Sequence, residues 1–407
     1  MKNLLKSAVV DGGKENYISL LIILAPLLNF LSGITFDLHA PSIPAIASYF
    51  NAPVSAAKNT ITFSLLGFSI GCILFGTLLD IFGRRPIILI GLVIYTVVSF
   101  SALACGSINE LLLVRFAQGF AVSCLSIGCR AIIIDKFTGH QFKVAILYTS
   151  LAFSIGPIVA PFVGGILQFH FGWKANFITY GIVSLVLMVI FALYVDESKE
   201  VKAVFSLKNA LTNYIDVLRH AAFVPGVVIA ALSQIQLLVY TTVGALLIES
   251  VLHRSAITYG NSALIISCGY LFGTLTNRFL IKDVRTHHLV KLGFALLLVG
   301  ILSQLVFHFL GLFNLFTIVF PITLIGFSNG FIFINVFTSC LRFITSAGVA
   351  TALFTAASMA ISTLGTFIIS HLTVSNLAHL AVIFGVSVSL QLVTFFLFFQ
   401  DVVKRES

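Results

Sequence analysis

The chain has 407 residues, 59% hydrophobic and 9% charged, with 40 Phe and a net charge of +9. A water-facing surface needs roughly a quarter of its residues charged, so a soluble fold is excluded and an integral membrane protein is expected. The positive balance is a signal of orientation in a bilayer, with no bearing on nucleic acid.

Apolar runs of about 20 residues, long enough to cross a hydrocarbon layer of ~30 Å, fall near 18–37, 57–79, 86–105, 110–134, 144–168, 175–195, 221–248, 257–280, 288–309, 314–340, 347–370 and 379–399. The first lacks a small-residue cleavage site before a polar mature domain, so it reads as an anchor. With a cytoplasmic amino terminus, only Lys58, Lys174 and Arg254 lie on the far side, and the other loop cations are cytoplasmic. That asymmetry predicts both termini in the cytoplasm.

Span one ends in Asp37, followed by Pro41 and Pro44. Asn29 lies eight residues earlier, on roughly the same helix face. The segment Gly76 to Pro86 joins spans two and three. Its Gly76 and Gly83 leave room for close approach, its Asp80 can accept from amides at a neighbouring helix start, and its Arg84 and Arg85 can pair with Asp135 at the end of span four. Such contacts would form a latch that holds one side shut in one state and breaks in the other.

Span four carries Arg115 near its start, followed by Gln118. Asp37 lies about 20 residues, roughly 30 Å, along a helix that starts inside, and Arg115 about six residues, roughly 9 Å, along one that starts outside. Both fall in the outer half. An ionised side chain in hydrocarbon costs several kcal/mol, so each should face protein or water and seek a partner. A neighbouring guanidinium and desolvation act oppositely on a carboxyl's proton affinity. If access alternates, Asp37 can take up a proton outside and release it inside. The alternative is an Asp that caps the next segment, and Arg115 could equally bond backbone carbonyls around Gln118.

Span five contains Gly156, Pro157, Pro161, Gly164 and Gly165, predicting a bent helix with close neighbours. The longest polar connection, 196–220, divides the chain into an amino-terminal half, 1–195, and a carboxy-terminal half, 221–407, and is too short to be a domain. Leu74 to Leu78 reads LFGTL, as does Leu271 to Leu275, and Phe116 to Phe120 is echoed by Phe327 to Phe331. These echoes predict two parallel six-helix halves related by a pseudo-twofold axis, with the substrate site between them. In that register Asn277 and Leu280 stand where the first half has Asp80 and Gly83.

The remaining mid-span polar groups, Asn29, Gln118, Tyr148, Gln234, Tyr240, Asn329 and Asn335, are candidate cavity lining, each equally readable as interhelical packing. A wide pocket with many Phe and scattered anchors suits amphipathic molecules better than sugars. The cysteines Cys72, Cys105, Cys124, Cys129, Cys268 and Cys340 form no C-x-x-C pair and read as packing residues. His39, His253, His287, His288 and His308 sit at span ends or loops and are expected at the interface. No phosphate-binding loop or nucleophile-base set is present, so no enzyme, metal or cofactor is expected.

The segment Gly76 to Pro86 resembles the signature between spans two and three of the major facilitator superfamily, and Arg115 to Gly119 resembles its span-four motif. Ser154 to Gly165 is similar to the span-five element of its proton-coupled drug antiporters. Asp37 to Pro44 and Gly172 to Phe177 resemble the bicyclomycin-resistance-like exporters. The resemblance covers all twelve spans. It implies an all-α membrane protein of the major facilitator fold, a latch in which Asp80 reaches the second half, and a span five that seals the cavity against proton leak and favours exchange. Ile81 departs from the pattern, where a basic residue is common, and Asn29 is uncharged where some relatives carry a second acid. The expectation is a monomeric, proton-coupled exporter of amphipathic drug-like compounds in a bacterial inner membrane, partnered by substrate, protons and lipid. Alternatives are a transporter of one metabolite, nucleoside or siderophore, and a non-transporting receptor of the same fold.

Overall fold

A computed structural model of the protein describes residues 13–198, 215–341 and 347–404. Most of the 196–220 connection lies outside the described residues. The membrane-crossing helices are α1 (Gly13–Asp37), α2 (Val54–Phe82), α3 (Arg84–Ser101), α4 (Ile108–Lys136), α5 (Gly139–Phe171), α6 (Lys174–Tyr194), α7 (Phe223–Ala245), α8 (Ala256–Leu280), α9 (Thr286–Phe309), α10 (Leu315–Leu341), α11 (Ala347–His371) and α12 (Leu377–Thr394). These correspond to 12 helices long and apolar enough to cross a membrane. Phe309, Phe279 and Phe171 are 84%, 70% and 73% exposed, which water would penalise and hydrocarbon does not.

Local signals set the helix ends. Ser107 accepts from the Glu110 amide while Glu110 accepts from the Gly106 amide, a reciprocal cap that starts α4. Ser255 and Asn376 cap α8 and α12 in the same sense, using side-chain oxygens on amides three residues on. Beyond Asp37 the chain turns through a short 3-10 helix, Ala40–Ser42, and a short helix, Ile43–Tyr49, with Pro41 and Pro44 in their first turns. Neither segment receives a side-chain cap, so Asp37 does not cap them.

The same packing scheme occurs twice. In the first half α2 packs on α4, α1 on α4 and α5, and α3 on α4 and α6; in the second α8 packs on α10, α7 on α10 and α11, and α9 on α10 and α12. Across the halves α2 meets α11 and α5 meets α8, so these two contacts are also exchanged by the pseudo-twofold relation.

The repeat register differs from the one expected. A side chain at Gly67 would strike the Phe116 carbonyl, and one at Gly273 the Phe327 carbonyl, so Gly67 and Gly273 are counterparts. Gly76, which shares its letters with Gly273, is open: a Cβ there would meet no described atom within 4 Å. The LFGTL identity is therefore a coincidence of helices rich in Leu, Phe and Gly. Asn277 is not the counterpart of Asp80: it is buried between α8 and α10, where Asn335 donates to it at 2.9 Å.

Candidate functional site

Arg115, at the start of α4, is fully buried. Its Nη2 donates to the Thr35 carbonyl at 2.7 Å, its Nη1 to Gln118 Oε1 at 2.7 Å and its Nε to the Thr60 carbonyl at 3.3 Å. Tyr180 also donates to the Thr35 carbonyl, at 3.0 Å, and the guanidinium lies 5.7 Å from the Tyr180 ring centroid. The planar fork thus fastens the last turn of α1 to α2 and α4. No ion pair within 4.0 Å joins Arg115 to Asp37. Three oxygens already occupy the guanidinium's directions, and two of them are backbone carbonyls that would otherwise be left unsatisfied.

Asp37, two residues after that anchored carbonyl, is 7% exposed. Its Oδ1 accepts from Thr241 Oγ1 of α7 at 2.9 Å, a bond across the two halves. Other cross-half bonds follow along α2. Lys58 Nζ donates to the Leu372 carbonyl at 3.0 Å, Ser370 donates to Asn59 at 2.6 Å, Thr62 to Thr366 at 3.3 Å, and Ser69 to the Ala356 carbonyl at 3.0 Å. The Lys58 ammonium sits at the carboxyl end of α11, where the helix dipole favours a cation. The ladder therefore ties the halves together from the Asp37 end of α2 to its middle.

The five span-five residues hold α5 between α1 and α8. A Cβ at Gly156 would lie 2.7 Å from Gly33 Cα, one at Gly164 would overlap the Leu38 carbonyl, and one at Gly165 would lie 2.5 Å from the Ala256 carbonyl. Pro157 and Pro161 remain inside an unbroken α5, and the Pro157 carbonyl accepts from Ser267 of α8 at 3.4 Å. Helix approach of this kind needs residues without side chains.

At the opposite, Asp80 end, Arg84 binds Asp80 Oδ1 at 2.7 Å and Asp135 Oδ2 at 3.0 Å, as the sequence suggested for Asp135. Arg85 does not pair with Asp135: its Nη2 donates to the Ala192 carbonyl at 2.9 Å. The amides that start α3 are received by Glu197, from Arg84 N at 2.9 Å and Arg85 N at 3.1 Å. Gly83 has φ +100°, and a Cβ there would lie 2.5 Å from Glu197 Oε2. The contacts of Arg84, Arg85 and Glu197 named here lie within the first half. Glu197 was missed because an acid beyond span six gives no sequence signal of facing the start of span three.

Several expected cavity residues lie within a single half. Asn29 donates to the Thr149 carbonyl and accepts from Ser126, and Gln118 donates to Ser99 Oγ at 2.8 Å. Asn329 donates to Gln236, which donates to Ser387 and Gln391, while Asn335 bonds Asn277. All four are buried and bonded between helices of one half, so they do not line an accessible wall in this conformation. Gln236 and Gln391 were missed, because periodicity alone could not separate them from Gln234. Gln234, half-buried, accepts from Ser362 at 3.1 Å, Tyr148 is 49% exposed, and Tyr240 is buried at the Asp37 end with its ring stacked on Tyr259, centroids 5.2 Å apart. His39, expected at the interface, is fully buried and bonds Thr60 through Nε2 at 3.0 Å, because the chain folds back after Asp37 and covers it.

The model of the Major Facilitator Superfamily matches residues 27–366. A multidrug resistance protein MdtL of Shewanella oneidensis is 27% identical over 358 residues, covering 86% of this chain and 88% of that one. An uncharacterized transporter of Rickettsia bellii is 26% identical over 262 residues, covering 63% of this chain and 64% of that relative's length. Among solved structures, that of a D-xylose-proton symporter superposes with a TM-score of 0.74 at 15% identity, covering 95% of this chain and 98% of that one, a likeness of fold.

Proposed function

The chain belongs to the Major Facilitator Superfamily, and from that premise we propose that it is a proton-coupled exporter of amphipathic drug-like compounds that works by alternating access with proton antiport. The single observation that carries this reading is a buried carboxyl, Asp37, bonded across the halves to Thr241. A carboxylate costs several kcal/mol in such a place, so its retention calls for work that a neutral residue could not do. Relatives named multidrug resistance proteins support the drug-like cargo.

In this reading both termini are cytoplasmic, the membrane is the bacterial inner membrane, the protein acts as a monomer, and the Asp37 end faces outward. The conformation described is then closed outside. Rocking of the halves breaks the Thr241 bond and the α2–α11 ladder, and Asp37 takes a proton from the outer side. Substrate moves outward on that stroke, and the return stroke buries Asp37 again and delivers the proton inside. Arg115 keeps the end of α1 in place through both strokes, and close packing of α5 on α1 and α8 limits leak. The cluster of Arg84 with Asp80 and Asp135 stiffens the Asp80 end.

Purified protein in liposomes with an imposed pH gradient, screened against cationic, neutral and anionic compounds, tests this. Proton-driven movement of several unrelated amphipathic compounds is expected, with loss in Asp37→Asn. Transport of one metabolite alone would favour the narrower alternative, and undiminished coupling in Asp37→Asn would remove the carrier role.

A further inference from the structure

Beyond Ala245, α7 continues through a π-helical turn, Leu246–Val251, which places Glu249 beside the Asp37 end of the interface between the halves. Such wide turns are uncommon and concentrate at functional positions. Glu249 Oε1 is buried with no hydrogen-bond partner among the described residues. The residue as a whole is only partly buried, so its carboxyl spans from a sealed interior toward the surface. No ion pair within 4.0 Å reaches it from the described residues, even from Arg254, whose amide is bonded to the Ile248 carbonyl. The hydroxyls of Tyr240 on α7 and Tyr259 on α8 are likewise buried without partners, with Ser262 lying beside Tyr240. Tyr259 stacks on Tyr240, ring centroids 5.2 Å apart, and α8, which carries it, packs on both the π turn and the Ala40–Ser42 turn that follows Asp37. Thr241, next to Tyr240 in sequence, holds Asp37.

Three orphan polar atoms in one buried region are unusual, since nearly all such groups find partners in protein or ordered water. Water between these groups would satisfy all three and would join Glu249 to Asp37. We propose that Glu249 is a second proton-binding carboxyl, the inlet through which protons reach Asp37 along the Tyr240 and Tyr259 hydroxyls. This rests on the reading of Asp37 as the proton carrier.

The step makes and breaks only O–H bonds. Glu249 takes a proton from bulk water. Its buried oxygen passes that proton to a hydroxyl or water, which at the same time donates its own proton onward, and the Asp37 carboxylate accepts the last. The titratable groups around the inlet are Tyr240 on α7, Tyr259 on α8 and Asp37 on α1. Tyr49, on the short helix packed against the π turn, is turned to Phe50 and Trp173. His253 and Arg254 are exposed in the following loop.

The test is infrared difference spectroscopy of the purified protein in lipid vesicles after a pH jump, which needs no substrate. Wild type should show two titrating buried-carboxyl bands, one lost in Asp37→Asn and the other in Glu249→Gln. The Asp37 band should respond about tenfold or more slowly in Glu249→Gln and in Tyr259→Phe, with Glu249→Asp restoring most of the rate. An Asp37 band whose response in Glu249→Gln stays within about twofold of wild type would overturn the inlet alone. If Asp37→Asn removes no band, the antiport reading fails and the inlet with it. Unchanged melting of each variant in detergent excludes misfolding as the cause.

Discussion

Thr241 Oγ1 donates to Asp37 Oδ1 at 2.9 Å, so the carboxyl at the end of α1 is bonded to the opposite half of the molecule. In the proposed cycle, protonation of Asp37 and separation of the halves are thereby the same event seen from two sides. A hydrogen bond to a charged group is worth about 1.5–3 kcal/mol, and Thr241→Val should shift the balance toward the form open at the Asp37 end by roughly tenfold or more. Spin-label distances between α2 and α11 measure the shift. An unchanged distance distribution would mean that the bond does not set the equilibrium.

Arg115 illustrates why charge alone is not its role. Arg115→Lys keeps the charge but cannot serve the Thr35 and Thr60 carbonyls and Gln118 together, and each buried group left unsatisfied costs about 1–3 kcal/mol. The lysine variant is therefore expected to melt several degrees lower in detergent and to transport poorly. Wild-type melting in the lysine variant would contradict the anchoring role.

Glu197 caps the start of α3 through the Arg84 and Arg85 amides. Glu197→Ala should cost about 0.5–2 kcal/mol, the range for losing a helix cap, and raise hydrogen exchange at those two amides while leaving the middle of α3 protected. Gly83→Ala should do the same by another route, since its φ of +100° strains a side chain and its Cβ displaces Glu197. Equal exchange in both variants and wild type would rule the cap out.

At Gly164 even one methyl group would overlap the Leu38 carbonyl, in the turn after Asp37. Gly164→Ala is expected to cost about 1–3 kcal/mol by overpacking and, by pushing α5 away from α1, to raise passive proton leak in pyranine-loaded vesicles. Gly76→Ala, placed where no described atom lies within 4 Å, serves as the contrasting substitution with near wild-type leak.

The ladder between α2 and α11 predicts that Ser370→Ala combined with Thr366→Val loosens closure at the Asp37 end more than either change alone, because each bond contributes only about 0.5–1.5 kcal/mol. Labelling of a cysteine placed at position 65, buried on the same face of α2 as Thr62 and Ser69 but outside the ladder, reports opening. Identical labelling in the double variant and wild type would argue that apolar packing holds the closure instead.

How far the sequence reaches follows from which interactions are local. Twelve apolar runs, the glycines and prolines of α5 and the burial of Asp37 and Arg115 follow from composition, periodicity and the cost of polar groups in hydrocarbon, all of which act residue by residue. Which oxygen meets which donor depends on how twelve helices dock, and that is decided in three dimensions. Hence Arg115 turns to carbonyls and not to Asp37, Glu197 caps the start of α3, His39 is enclosed, and Gly67 rather than Gly76 matches Gly273. Thr241 and Glu249 were invisible in the same way, because a hydroxyl or an acid near a span end gains meaning only from the helix that packs against it.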